Sequence, residues 1–76
     1  MTLADLSARN PCRITGFKQH RQATGLGRLQ SLGVVTGACA EVLRVAPLGD
    51  PLQVDIEGTL LSIRRRDARH IEVEPL

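Results

Sequence analysis

The chain has 76 residues, so we expect a single domain over residues 1–76, of a size that buries only about 60% of the surface of its unfolded chain. Phe17 is the only aromatic residue, which argues against an aromatic-lined ligand pocket and against a platform on which nucleic-acid bases stack. The formal net charge of +2 is too small to indicate a nucleic-acid-binding surface, and no apolar run approaches the about 20 residues that cross a bilayer.

The cysteines and the N-terminal residues bear on the compartment. Cys12 and Cys39 are too few for a disulfide framework, and residues 1–10 lack the apolar core of a signal peptide. We therefore expect a soluble, cytoplasmic protein with reduced thiols. Both cysteines are expected to pack as small apolar groups.

The N-terminal part of the chain predicts a helical turn followed by a strand. Leu3 and Leu6 are spaced three apart after Thr2, which suits one helical turn with Thr2 as its N-cap. The Asn-Pro pair that follows ends this turn. Apolar and polar residues then alternate over residues 12–17, which predicts a first strand.

Leucines at a spacing of three predict a helix from about residue 22 to residue 32, or a shorter one that begins near Gly25 with Thr24 as its cap. Leu29 and Leu32 are expected in the core, because leucines at helical spacing normally face inward. Leu26, in the first turn of this helix, is a candidate contact for a partner. Gly33 is expected to end the helix in a left-handed conformation.

The next segment alternates as a strand over residues 38–45, with a bulge near Leu43-Arg44 that returns Val45 to the inner face. Residues 47–51, Pro-Leu-Gly-Asp-Pro, then predict a sharp turn. Neither proline can lie in the middle of a sheet, and Gly49 supplies a position with positive φ. The segments on either side are therefore separate strands.

Three further strands are predicted after this turn, at residues 52–57, 61–63 and 70–74. Gly58 permits a tight hairpin between the first two, and the polar residues 66–69 suit a 3₁₀ turn before the last. The predicted fold class is therefore mainly β, a small barrel of about five strands with one short inserted α-helix. Closure of such a barrel would remove exposed sheet edges.

The order and spacing of these motifs resemble the ferrous iron transport protein A family (FeoA). The similar motifs run over nearly the whole chain: Leu3-x-x-Leu6, Ile14-x-Gly16-Phe17, Arg28-Leu29-x-x-Leu32-Gly33, Pro47 to Pro51, Ile63-Arg64, Asp67-Ala68 and Ile71-x-Val73. The resemblance implies an SH3-like barrel. It also implies an accessory role in ferrous iron transport, through binding to the ferrous iron transporter, a membrane protein with a cytosolic GTP-binding domain.

Four residues are candidates for contact with that partner: Leu26, Arg28, Leu48 and Arg64. Leu48 stands at the tip of the predicted turn, where an apolar side chain often faces solvent. Arg64 belongs to a cluster, and strand alternation would direct Arg64 and Arg66 to one side of the sheet and Arg65 to the other. A solvated strand edge that discourages aggregation is the alternative interpretation of this cluster.

A metal site is a further hypothesis. His70, Glu72 and Glu74 alternate along the last predicted strand, and imidazole with carboxylates suits Fe(II) or Zn(II). An ordinary polar outer face is the alternative. His20, in a polar loop, is a candidate ligand for zinc shared between molecules, so a weak, metal-bridged homo-oligomer is one expectation. We expect no required cofactor. The candidate metals are Fe(II) and zinc that is adventitious or bridges molecules through His20 or His70.

The function predicted from the sequence is that of a small cytosolic accessory protein. The chain has no Ser-His-acid spacing and no phosphate-binding glycine loop, so we expect no enzyme activity. The alternatives are a metal sensor or carrier and a nucleic-acid-binding small barrel. The scarcity of aromatic residues and the small net charge argue against nucleic acid.

Overall fold

The computed structural model describes residues 1–18 and 26–76, and in these ranges it shows five strands and three short helical segments. In chain order they are a 3₁₀ turn (Leu3–Asp5), β1 (Pro11–Phe17), α1 (Leu26–Ser31), β2 (Cys39–Val45), β3 (Leu52–Ile56), β4 (Thr59–Ile63), α2 (Arg65–Ala68) and β5 (Ile71–Pro75). The mainly β class predicted from the sequence is confirmed. Within the same ranges no helix has the length and apolar character needed to cross a membrane.

The five strands form one antiparallel sheet in the order β4-β3-β2-β1-β5. The N-terminus covers the outer edge of β5, where Thr2 bridges to Glu72 and the Val73 N–H donates to the Met1 carbonyl at 3.0 Å. No strand within residues 1–18 and 26–76 pairs with the outer edge of β4. Among the described strands the ladder is therefore open between β4 and β5, and the expected closure of the sheet is incomplete there.

The core is built from the inward-facing residues of the strands, as the period of two dictates. On β3, Leu52, Val54 and Ile56 are all buried while the residues between them are half-exposed. The bulge predicted in β2 is present as a register shift between Val42 and Arg44, and Val45 packs against the core. Buried side chains from the other strands add to this core: Cys12, Ile14, Ala40, Val42, Ile63, Ile71 and Val73. Buried residues outside the strands complete it: Leu3, Leu6, Leu29, Val34, Ala38 and Ala68.

The end of α1 departs from the sequence prediction. The described part of this helix ends at Ser31, so Leu32 falls beyond it and is 43% exposed, while the predicted start at residues 22–25 lies outside the described residues. The expectation that Leu32 belongs to the core was wrong. Gly33 has a φ of 105°, as expected of a helix terminator, and the chain reverses so that the Val34 N–H donates to the Leu29 carbonyl. Val34 is thus fully buried and occupies the place in the core expected for Leu32.

The turn between β2 and β3 has the expected form. The Gly49 N–H donates to the Ala46 carbonyl at 2.7 Å, and the Ala46 N–H donates to the Pro51 carbonyl at 3.1 Å. Gly49 has a φ of 87°, a conformation that side chains other than glycine rarely adopt. Leu48 stands at the tip of this turn and is 97% exposed.

Residues 65–68 form a short α-helix where the sequence suggested a 3₁₀ turn. The carboxylate of Asp50 accepts a hydrogen bond from the Arg65 backbone N–H at 2.9 Å, at the first residue of α2. This bond satisfies a donor that the helix itself leaves unpaired. Because Arg65 and Arg66 are helical, the strand alternation expected for residues 64–66 was wrong.

Arg65 joins three separate segments of the chain. Its Nε donates to the Gly49 carbonyl at 2.7 Å, and its Nη1 donates to the Ala4 carbonyl at 2.8 Å. The side chain therefore ties the start of α2 to the β2–β3 turn and to the N-terminal 3₁₀ turn. This anchor fixes where the two neighbouring arginines lie.

Candidate partner-binding site

A cleft of about 260 Å³ lies between α1, the end of β4 and α2. It is lined by Arg28, Leu29, Ser62, Ile63, Arg64, Arg66 and Asp67. We call it the basic cleft, because three of its lining residues are arginines. Two of them, Arg28 and Arg64, are partner-binding candidates that the sequence placed 36 positions apart and that the fold brings to one site.

The lining residues come from α1, from the end of β4, from α2 and from Arg64 between the last two. On α1, Leu29 is buried against the core and Arg28 beside it is exposed. Ile63, the last residue of β4, is fully buried. Arg64 and Arg66 flank the anchored Arg65 and line the cleft. The basic cleft thus has an apolar floor and a charged rim.

The arginines of the cleft carry charge that no acidic side chain of residues 1–18 and 26–76 pairs with. The ion pair that the described residues show joins Arg9 to Glu41 at 3.7 Å. Within the described part of the chain no carboxylate lies within 4.0 Å of the guanidinium groups of Arg28, Arg64 or Arg66. The cleft has one acidic lining residue, Asp67, which is only 8% exposed. Its rim is therefore net positive.

The volume of the cleft limits the size of the group that can bind in it. Pockets for drug-sized ligands and cofactors have volumes of roughly 300 to 1,000 Å³. At about 260 Å³ the basic cleft falls below that range and is open on one side to solvent. It fits one or two side chains of a partner better than a small-molecule cofactor.

The other two partner-binding candidates lie outside this lining. Leu48 is exposed at the tip of the β2–β3 turn, and Leu26 is the first residue of α1. The position of the Leu26 side chain lies outside the described structure. The turn that carries Leu48 is linked to the rim of the cleft, since Arg65 bonds to Gly49 and precedes Arg66.

Arg66 was not predicted as a site residue, because residues 64–66 were interpreted as a continuation of the strand. No apolar spacing within residues 65–68 signals this helix, because its two buried residues, Asp67 and Ala68, are adjacent and Ile71 already belongs to β5. In the structure Arg66 lines the cleft together with Arg64.

A second, shallow depression of about 220 Å³ carries the opposite charge. It lies beside the β3–β4 hairpin and includes Glu41, Asp55 and Glu57. All three carboxylates already have partners. Glu41 pairs with Arg9, Asp55 accepts from the Gly58 N–H at 2.8 Å, and Glu57 accepts from the Cys39 N–H at 2.9 Å. These contacts stabilise the hairpin and leave fewer oxygens for an external ligand.

The predicted metal ligands occupy different settings. His70 directly precedes β5, whereas Glu72 and Glu74 are within it. No group of three His, Cys, Asp or Glu side chains in residues 1–18 and 26–76 is arranged to hold a metal ion. His20 lies outside the described residues, so a site that includes it stays a prediction.

The two cysteines differ in exposure. Cys12 on β1 is fully buried, and burial, with a smaller contribution from Cys39, raises the pKa of its thiol. Cys39 on β2 is half-buried, and its sulfur lies 4.0 Å from Nη2 of Arg13. Both thiols are free. Only Cys12 packs entirely as the small apolar group expected of both.

Comparisons with known proteins identify relatives along the whole chain. The model of a family described as the FeoA domain matches residues 1–75. The solution structure of the FeoA protein from Chlorobium tepidum is 41% identical, with a TM-score of 0.89, and the match covers 100% of this chain and 70% of that one. Iron(II) transport protein A from Clostridium thermocellum is 34% identical, with a TM-score of 0.87, and the match covers 100% of this chain and 46% of that one.

A crystal structure from Stenotrophomonas maltophilia is also similar. It is 26% identical with a TM-score of 0.83, and the match covers 97% of this chain and 89% of that one. That protein is described as FeoA complexed with zinc and as a prokaryotic SH3 domain protein. Together with the five-stranded antiparallel sheet, this likeness confirms the predicted SH3-like fold.

Proposed function

The chain belongs to the FeoA family, which is associated with an accessory role in ferrous iron transport, and we propose that it acts by binding the cytosolic GTP-binding domain of the ferrous iron transporter. The basic cleft is the proposed contact site. In this account the protein is a cytoplasmic adaptor that works by protein contact and carries out no catalysis itself. No metal or cofactor is required for the contact.

The observation that carries this proposal is the meeting of Arg28, Arg64 and Arg66 around an apolar floor, with no carboxylate partner among the residues that the structure describes. Guanidinium groups bind carboxylates in a planar, bidentate geometry, so such a rim favours acidic side chains. A charge pair near a protein surface has a Coulomb energy of about 4 kcal/mol at 4 Å, but exposed pairs retain only about 0–1 kcal/mol in water. The arginines therefore supply selectivity and a faster encounter, and burial of apolar surface supplies most of the affinity.

A partner domain of ordinary interface size would cover more than the cleft. A standard interface buries about 800 Å² on each partner. The described chain exposes 4729 Å² and measures 29 × 27 × 21 Å. Such an interface spans roughly a sixth of that surface. We propose that it also reaches Leu48, since Arg65 links the turn of Leu48 to the rim of the cleft.

The test is an association experiment with the isolated cytosolic GTP-binding domain, free and with GDP or a non-hydrolysable GTP analogue. We expect the wild-type chain to bind in at least one nucleotide state. Arg64→Glu should weaken binding by about tenfold or more, because it places a like charge opposite the partner's carboxylates.

Arg44→Glu is the matched control. It makes the same charge change at an exposed position on β2, outside the cleft lining, so we expect it to bind as the wild type does. Equal losses in the two variants would show that net charge matters and the cleft does not. Absence of binding in every nucleotide state would refute the proposed function.

A further inference from the structure

The outer edge of β4 has backbone hydrogen-bonding groups with which no other strand in the described ranges pairs. β3 and β4 are joined by a two-residue turn in which Glu57 has a φ of 49° and Gly58 a φ of 89°, as in a type I′ hairpin. In such a hairpin the pair that flanks the turn, Ile56 and Thr59, is hydrogen-bonded, and the bonded pairs then alternate. Leu60 and Ser62 therefore direct their N–H and C=O groups away from β3.

The two edge strands of the sheet, β5 and β4, differ in how well they are protected against the addition of another strand. The edge of β5 has the devices that block strand addition, namely a bridge to the N-terminus, two glutamates and Pro75. β4 has none of them within its residues, since Thr59–Ile63 contains no charge and no proline and keeps an unbroken register with β3. Leu60 on this strand is 64% exposed. An edge of this kind is suited to accept another strand.

The open edge leads directly into the basic cleft. Ser62, one of the two residues whose backbone faces outward, is also part of the cleft lining. Arg64 and Arg66 follow it in the chain, and Arg28 faces it from α1. A strand laid along β4 would therefore place its side chains among three arginines whose charge is not neutralised within the described chain.

We propose that β4 accepts an extended, acidic segment of the partner as a sixth strand of the sheet, with the carboxylates of that segment in the basic cleft. The inference rests on the proposed function and names how the cleft is used. The backbone of Leu60 and Ser62 supplies the pairing, and the arginines select for acidic side chains. The segment is thus recognised in two ways, by backbone hydrogen bonds along β4 and by pairing of its carboxylates with the arginines.

A second copy of the chain is the competing occupant. Antiparallel pairing of two β4 strands would satisfy the same backbone groups. It would bring no carboxylate to the arginines from the added strand, because Thr59–Ile63 contains no acidic residue. The charge of the cleft therefore favours an acidic segment over self-association.

Ser62→Pro tests the pairing directly. Proline removes the outward N–H of residue 62, and an edge strand tolerates it there because that N–H does not bond to β3. Ser62→Ala, the matched control, removes the hydroxyl and keeps the N–H. In binding to the GTP-binding domain we expect Ser62→Pro to be about fivefold weaker or more and Ser62→Ala to stay within about twofold of the wild type. Retained amide spectra of both variants verify that the fold is intact.

A peptide arm separates this inference from the proposed function. The probes are a peptide of about eight residues that alternates Glu and Val and one that alternates Lys and Val, which share strand propensity and differ in charge. We expect the Glu peptide to shift the amide signals of Leu60 and Ser62 and to slow their hydrogen exchange. The Lys peptide should leave both signals unchanged.

Each outcome decides one claim. If the domain binds and Ser62→Pro binds as tightly as Ser62→Ala, strand addition is wrong and the proposed function stands. If the domain does not bind but the Glu peptide pairs with β4, the proposed function fails and the edge is still a site for acidic strands. Equal binding of both peptides, or shifts at β4 that grow with protein concentration alone, would overturn the inference in favour of an unselective edge or of self-association.

Discussion

At the scale of single residues, Asp5 couples the N-terminal turn to pH. Its carboxylate accepts hydrogen bonds from the Thr2 backbone N–H at 2.8 Å and from the Thr2 hydroxyl at 3.3 Å. The backbone bond is the main reason that the pKa of Asp5 lies below its ordinary value of 3.8. This side chain therefore helps to hold the segment that covers the edge of β5.

The lowered pKa predicts how acid affects the fold. A carboxyl group whose pKa is lower in the folded state than in the unfolded state stabilises the fold at pH values above its unfolded-state pKa. This stabilisation is lost as the pH falls through the folded-state pKa. We expect the wild type to lose more stability than Asp5→Asn when the pH falls from about 5 to about 2, measured by urea unfolding. Equal losses in the two proteins would contradict the assigned role of Asp5.

The two thiols predict a difference in reactivity. Cys12 is fully buried and has a raised pKa, so little thiolate forms there, whereas Cys39 is half-buried. We expect a thiol reagent at neutral pH to modify Cys39 at least about tenfold faster than Cys12, followed by mass spectrometry. Cys39→Ser should leave only a slow reaction. A fast first modification at Cys12 would show that β1 opens readily.

At the scale of elements, the β2–β3 turn and α2 act as one unit through Arg65. We expect Arg65→Ala to lower the free energy of unfolding by about 1–3 kcal/mol, because it removes two hydrogen bonds to backbone carbonyls at a half-buried site. Arg66→Ala, at an exposed neighbour, should change it by about 0.5 kcal/mol or less. Urea unfolding of the two variants measures the difference. Similar values would mean that Arg65 does not anchor α2.

The elements differ in how far the sequence predicts them. The strands and the β2–β3 turn follow from local chemistry, namely alternation, two prolines and Gly49 with its positive φ. The end of α1 does not follow from local chemistry, because whether Leu32 or Val34 is buried in the core depends on where the chain reverses after the helix. The helix α2 depends on a distant group as well, because the carboxylate that bonds to its first N–H belongs to Asp50.

At the scale of the whole molecule, the fold brings arginines from distant parts of the sequence into one cleft. Residues 1–33 carry five cations and one anion, but the basic cleft combines Arg28 from that part with Arg64 and Arg66 from the other. The sequence predicted two of these arginines as separate candidates. Their meeting depends on the fold, which brings α1 and the end of β4 to the same cleft, and no local pattern reveals this. The exposure of Leu48 could be predicted without knowledge of the fold, because it follows from the position of this residue at the tip of a turn.

The central claim is that the chain binds the cytosolic GTP-binding domain of the ferrous iron transporter through a net positive cleft. A calorimetric titration of the wild type with that domain, at about 50 and about 200 mM salt, tests it most directly. We predict saturable binding that weakens several-fold at the higher salt, since the cleft arginines contribute through exposed charge. No binding heat at about 100 µM protein in any nucleotide state, or an affinity independent of salt, would contradict the claim.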